Sequence, residues 1–183
     1  MQIEFIDGHI CIRPYTNSDA ILLYEAAREC LPDGVEWMPW VHTEYSLDES
    51  RGWIATSIEK WANGTEYNFA VISAATGEYL GGVGLNRIDA EYNIANLGYW
   101  VRKSVRGRGI AIAAAHLAAE FGFNHLDMSR IEIVVAVHNT ASCRTAEKSG
   151  ALREGILRNR LKTGGKRYDA VMHSFTPPDF GRV

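Results

Sequence analysis

Residues 97–137 limit the fold of this chain more than any other stretch. Leu97-Gly98-Tyr99-Trp100-Val101 reads as an extended run, and Arg106-Gly107-Arg108-Gly109-Ile110-Ala111 is a basic, glycine-bearing loop. An alanine-rich helix follows to about Asn124, with Ile110, Ala114, Leu117 and Phe121 on one face. Ile131-Glu132-Ile133-Val134-Val135-Ala136-Val137 is then nearly continuous β-branched apolar sequence, as expected of a strand covered on both faces. A strand, a helix and a second strand in that order predict a right-handed parallel crossover. The first amides of a helix have no internal partners, and the helix dipole adds positive charge there. Gly107 and Gly109 let the chain approach an anion without a Cβ in the way. The loop is therefore the expected seat of a phosphate-bearing ligand.

The rest of the chain supplies antiparallel strands and two helices. His9–Pro14 alternates as a first strand, and Ser18 or Asn17 is placed to cap a helix from about Asp19 to Cys30. A loop with bulky residues, Pro32 to Trp40, precedes a helix over Leu47–Ala62. Tyr67–Ala74, Tyr79–Arg87 and Asn93–Arg102 read as three successive strands joined by polar or glycine turns. A helix over Thr140–Ser149 ends at Gly150, and two strands flank Thr163-Gly164-Gly165. The fold class expected is α+β: a mixed, mostly antiparallel sheet of about seven strands, helices on both faces, and one parallel crossover. No repeat or linker divides the sequence, so residues 1–183 are read as a single domain.

Charge is divided unevenly. Residues 1–100 carry 15 acidic and 5 basic side chains; residues 101–183 carry 7 and 14. Either this is a solvated surface that happens to segregate, or the basic half holds an anionic ligand while the acidic half presents to a cationic one. Nucleic acid is not an expected partner, because the acidic half would repel it and no reading motif is present. Three cysteines without regular spacing fit a reducing cytoplasm rather than a disulfide framework. The N-terminus lacks the pattern of a signal peptide, and the apolar run 110–119 is too short to span a bilayer, so no membrane role is expected. Six histidines show no ligand spacing, and no metal is expected. Cys143 has no histidine partner at dyad spacing and reads as a small helix residue rather than a nucleophile.

Arg106, Gly109 and Ala111 occupy the three defined positions of Gln/Arg-x-x-Gly-x-Gly/Ala, and in this the chain resembles the GNAT superfamily of acetyl-CoA-dependent N-acetyltransferases. Asn139-Thr140-Ala141-Ser142, with Ala146 to Gly150 after it, is similar to the Asn-x-x-Ser block of the branch that acetylates ribosomal-protein N-termini. Gly98-Tyr99-Trp100-Val101 and Arg153-Glu154-Gly155 suit the same branch. The resemblance implies acetyl-CoA as co-substrate and direct transfer of acetyl to a primary amine, on a small molecule or a protein N-terminus. Self-association into a homo-oligomer stays open.

The resemblance also assigns roles. Amides from Arg108 through Gly109 and Ile110 to Ala111, supported by the Arg106 and Arg108 guanidiniums and the Gly107 turn, would take the pyrophosphate. The strand edge at Trp100 to Arg102 would pair with the pantetheine arm, and the Val101 amide would polarise the thioester carbonyl. Asn139 is expected as helix cap and cofactor contact, and Ser142 as the acid for the leaving thiolate. Glu36, Trp37 and Trp40, with Met38 between, would wall the acceptor pocket. Many relatives carry a glutamate just before the Gly-Tyr-Trp segment, whereas this chain has Ala95-Asn96-Leu97. The stretch Arg158–Lys162 likewise holds no acid where the ribosomal branch has one, leaving Glu36, Glu91, Asp169 or a water as base. A non-catalytic acyl-CoA-binding module is the alternative. A nucleotide-binding domain is not favoured, since the Gly-x-x-x-x-Gly-Lys-Ser/Thr pattern is absent.

Overall fold

The computed structural model describes residues 4–32 and 36–181. In chain order the strands are β1 (Phe5–Asp7), β2 (Ile10–Pro14), β3 (Tyr67–Ser73), β4 (Tyr79–Asp89), β5 (Ile94–Val101), β6 (Arg130–Ala136), β7 (Leu152–Thr163) and β8 (Lys166–Phe175). The α-helices are α1 (Ala20–Glu29), α2 (Leu47–Ala62), α3 (Ile110–His125) and α4 (Thr140–Lys148). One sheet of eight strands runs in the order β1-β2-β3-β4-β5-β6-β8-β7. The eighth strand is β1, a three-residue edge hairpin partner of β2 that carries too little pattern to read from sequence.

Helix α1 lies close to its expected span, directly after a 3-10 turn over Asn17–Asp19. Thr16, rather than Asn17 or Ser18, caps a short 3-10 turn, because the Asp19 carboxylate accepts from the Thr16 amide (2.8 Å). Asp19 is buried and also takes a two-pronged contact from Arg13 (2.8 and 2.7 Å). That fork ties β2 to the start of α1.

Alternation along the strands separates two packing layers. Phe69, Val71, Val83, Leu85, Leu97, Ile131 and Ile133 face α3, whereas Ala70 and Tyr79 face α1 and α2. Helix α3 lies close on the sheet because its buried side is mostly alanine: Ala114, Ala115, Ala118 and Ala119 are all buried. Gly122 marks the closest approach, where a Cβ would meet Ile131 Cδ1 at 2.6 Å and Leu85 Cδ1 at 3.0 Å.

The parallel pair β5–β6 positions the site. The two strands pair only over Ile94↔Arg130, Ala95↔Ile131 and Asn96↔Glu132. Beyond that point β5 stays bonded to β4 through Val101, and β6 stays bonded to β8 through Ala136. Each strand follows its outer neighbour, and the sheet opens between them.

Candidate active site

The opening is a cleft of about 690 Å³ walled by Leu97–Val101 on one side and Ile133–Ala136 on the other. Its mouth is framed by the loop before α3, the first turns of α4, Trp37-Met38-Pro39, and the hairpin residues Leu161-Lys162-Thr163. It sits at the C-terminal ends of the two parallel strands, where an interrupted sheet leaves backbone groups unpaired.

The glycine loop lies at that mouth. Gly107 (φ +78) and Gly109 (φ +80) are left-handed, and Gly109 is the N-cap of α3, its carbonyl accepting from Ile112 (3.0 Å) and Ala113 (3.1 Å). A Cβ on either glycine would meet nothing within 4 Å, so the space before the helix end is open. Ile110 and Ala111, whose amides belong to the unpartnered first turn, line the cleft with Arg106. Arg108 does not line it: its guanidinium turns back to the Ser104 carbonyl (3.1 Å) and braces the loop instead. Glu29, at the end of α1, holds the same segment from behind, accepting from Arg102 Nε (2.7 Å) and from the Ser104 amide. Burial alone would raise the Glu29 pKa, but these hydrogen bonds outweigh it and the carboxyl lies below its usual range.

Along β5 the backbone alternates. The Arg102 amide donates to Leu80 (2.9 Å), which turns Arg102 and Trp100 toward β4 and leaves the polar groups of Tyr99 and Val101 facing the gap. The Trp100 backbone is thereby engaged with β4, and its indole packs against Trp40 (5.3 Å) and Tyr79 (6.1 Å). Opposite, the Asn139 side chain caps α4 by accepting from the Ser142 amide (3.2 Å). Tyr99 joins the two walls: its hydroxyl donates to the Ser142 carbonyl (2.9 Å) and lies 3.1 Å from Ser142 Oγ. Burial raises the Tyr99 phenol to about 12, with the Ser142 contact pulling the other way. Tyr99 belongs to the Gly98–Val101 motif but has no assigned role in the sequence. Its position two residues before Val101, on the same strand face, was the available signal.

The acceptor loop is only partly as expected. Trp37 lines the cleft and meets Tyr168 edge-on at 5.6 Å. Trp40 lies outside, buttressing Trp100 (5.3 Å) and Tyr45 (5.9 Å). Glu36 is exposed and contributes only its carbonyl, which accepts from Thr163 Oγ1 (3.2 Å); its carboxylate is not part of the wall. Glu91 and Asp169 are outside too, the latter accepting from the Asn159 amide (2.8 Å). Among the described residues the cleft has five basic side chains, Arg87, Arg106, Arg144, Lys148 and Lys162, and no acidic one. Four of the five come from the basic half, as expected for an anionic ligand; the acidic half supplies no carboxylate to the cleft among the described residues, and Glu29, for one, is held in an ion pair with Arg102. Cys143 packs against the core and burial raises its thiol pKa, which disfavours a thiolate.

These features fit acetyl-CoA: amides and a guanidinium at open space for phosphates, a strand edge whose Tyr99 and Val101 amides face the gap (the Val101 carbonyl accepts from Cys30 Sγ at 3.8 Å), and hydroxyls beyond. Among the described residues no cluster of three or more His, Cys, Asp or Glu could hold a metal ion, and no helix is long and apolar enough to cross a membrane.

Comparison with known proteins agrees with this geometry. The family described as "Acetyltransferase (GNAT) domain" matches residues 9–152. "Putative ribosomal N-acetyltransferase YdaF" of Bacillus subtilis (strain 168) is 29% identical over 175 residues, 92% of each chain. "Uncharacterized N-acetyltransferase p20" of Bacillus licheniformis is 32% identical over 124 residues, 68% of this chain and 67% of that one. In fold, the chain is similar to RimL, a ribosomal L7/L12 alpha-N-protein acetyltransferase solved with coenzyme A, with a TM-score of 0.82, 20% identity, and 94% and 96% of the two chains covered. The chain belongs to the GNAT acetyltransferase family. It is an acetyl-CoA-dependent N-acetyltransferase.

Proposed function

We propose that this single-domain, cytoplasmic enzyme acetylates the primary amine of a small molecule or a protein N-terminus, using the cleft between β5 and β6. The observation that carries the reading is the parting of those strands directly in front of the glycine loop. When bound, acetyl-CoA supplies a thioester whose carbonyl carbon is open to attack and whose sulfur leaves. The first-turn amides of α3 and Arg106 bind the phosphates, while Gly107 and Gly109 keep the approach clear. The Val101 amide, facing the gap, stabilises negative charge on the carbonyl oxygen. Asn139 fixes the first turn of α4, and Ser142 Oγ holds the proton for the sulfur. Tyr99 orients Ser142 through its carbonyl and stands close enough to Oγ to replace that proton. A pure acyl-CoA-binding module has no use for paired hydroxyls at this point.

Thiol release from acetyl-CoA in the presence of a panel of amines and N-terminal peptides tests the reading. Turnover that is lost on altering the loop or Ser142 supports it; turnover indifferent to both refutes the assignment.

A further inference from the structure

Given the reading that the cleft holds acetyl-CoA, one ligand must reach two places on the chain: the Val101 amide on β5 and the first amides of α3. Residues 102–109 join them, and the regular structure in that stretch is one short 3-10 turn, Lys103–Val105. Such a connection has no sheet ladder to fix its length. Glu29 grips it from outside. One carboxylate oxygen accepts from Arg102 Nε (2.7 Å) and the other from the Ser104 amide, so the two donors flank Lys103. The Arg102 guanidinium also donates to the Tyr79 carbonyl (3.2 Å) and to Glu78 (3.3 Å), so it is used within the fold. Ser104 passes the constraint on, its carbonyl accepting from Arg108 (3.1 Å). Beside Glu29, the Cys30 thiol donates to the Val101 carbonyl (3.8 Å). Helix α1 is itself fixed to the sheet by Leu23 and Ala26, which pack with Ala70 and Tyr79. One helix end thus holds both the strand residue and the start of the loop.

Glu29 is out of place as a helix residue. It is the last residue of α1, where the helix dipole is negative and a carboxylate is disfavoured. Its charge is used across the chain rather than along the helix. We propose that Glu29 is a positioning residue for acetyl-CoA: without touching the cofactor, it sets the spacing between the Val101 amide and the phosphate-binding amides of α3. With that spacing fixed in advance, the two ends of one ligand are held without a further cost of ordering the protein. Where the spacing is soft, each end still finds its own contacts, but the gain from joining them is lost.

The test titrates two probes by calorimetry and amide chemical shifts: coenzyme A, which spans both places, and adenosine 3′-phosphate 5′-diphosphate, which carries the phosphates without the pantetheine arm. Glu29→Gln keeps the size of the side chain and can still accept from Ser104, but it turns an amide N–H toward the Arg102 donor. It should weaken coenzyme A binding about tenfold and leave the phosphate fragment within about twofold of wild type. The fragment is spared because Arg108 and the glycine turns still shape the loop. Arg102→Gln cuts the same pair from the other side and should give the same split. The double variant should bind coenzyme A no worse than either single one, since one interaction is lost in all three. Equal weakening of both probes would make Glu29 a support of loop folding alone and overturns the proposal, as does unchanged coenzyme A affinity in either single variant. Failure of the wild-type protein to bind one or other probe would instead strike the cofactor reading on which the proposal rests.

Discussion

The Tyr99 hydroxyl lies 3.1 Å from Ser142 Oγ, joining β5 to α4 across a separation of 43 residues. Because the same phenol donates to the Ser142 carbonyl, it fixes both the hydroxyl and the helix turn that carries it. Ser142→Ala should lower kcat by about 100-fold with little change in acetyl-CoA affinity, as expected on losing a general acid. Tyr99→Phe should lower kcat less, by about tenfold, with the same split. With the Tyr99 phenol at about 12, the acid form persists through the ordinary alkaline range. The wild-type kcat should therefore show no downturn between about pH 8 and about pH 10. A downturn there would assign the proton to a different group.

Gly109 combines a left-handed φ of +80 with open space before the first amides of α3. Gly109→Val should weaken acetyl-CoA binding by tenfold or more, by about the order expected when a phosphate loses its backbone contacts. The left-handed conformation should cost the fold about 1–2 kcal/mol. Calorimetry with acetyl-CoA and a thermal melt separate the two effects. Wild-type affinity in a folded variant would remove the loop from the cofactor site.

Gly122 sits where α3 touches the sheet, with the Ile131 Cδ1 and Leu85 Cδ1 methyls in the way of any Cβ. Gly122→Ala should destabilise by about 1–2 kcal/mol, since overpacking outweighs the gain in helix propensity. Adding Ile131→Val removes the nearer methyl and should recover part of that loss. Denaturant titration of the single and double variants reads the coupling directly.

Glu154 receives a fork from Arg130 (2.8 and 2.6 Å) and a hydrogen bond from Ser174 (2.7 Å). These donors hold its pKa at about 2, against an ordinary 4.5. A depressed carboxyl pKa contributes stability above the unfolded value and loses it as pH falls toward the folded one. Tm should therefore decline as pH drops from about 5 toward 2, and Glu154→Gln should flatten part of that decline. The side chain is 35% exposed, so solvent screening keeps the contribution small. An unchanged acid slope in the variant would leave the network without a share in acid stability.

Most elements were legible because their periodicities were strong. Helix α2 occupies the expected Leu47–Ala62, and the β5–α3–β6 crossover follows from the alternation, the alanine face and the β-branched run. What lay hidden depended on contacts distant in sequence. Tyr99 could be matched to Ser142 only once α4 was placed over β5, and Arg108 and Glu36 could be removed from the wall only once their partners were known. The charge division was legible in part: Arg106, Arg144, Lys148 and Lys162 of the cleft come from the basic half, whereas Arg87 comes from the acidic half, and the Asp19 and Glu29 carboxylates are used in ion pairs. The acid-free stretch Ala95-Asn96-Leu97 was a local signal, and it agrees with a cleft that has no carboxylate among the described residues.

The central claim is that acetyl-CoA lies between β5 and β6 with its phosphates at the start of α3. Titration of ¹⁵N-labelled protein with coenzyme A, followed by amide chemical shifts, tests it most directly. The account predicts that the amides of Val101, Gly109, Ile110 and Ala111 shift together and most strongly, with Ser142 following. Binding that leaves those amides unmoved while shifting another surface would contradict it.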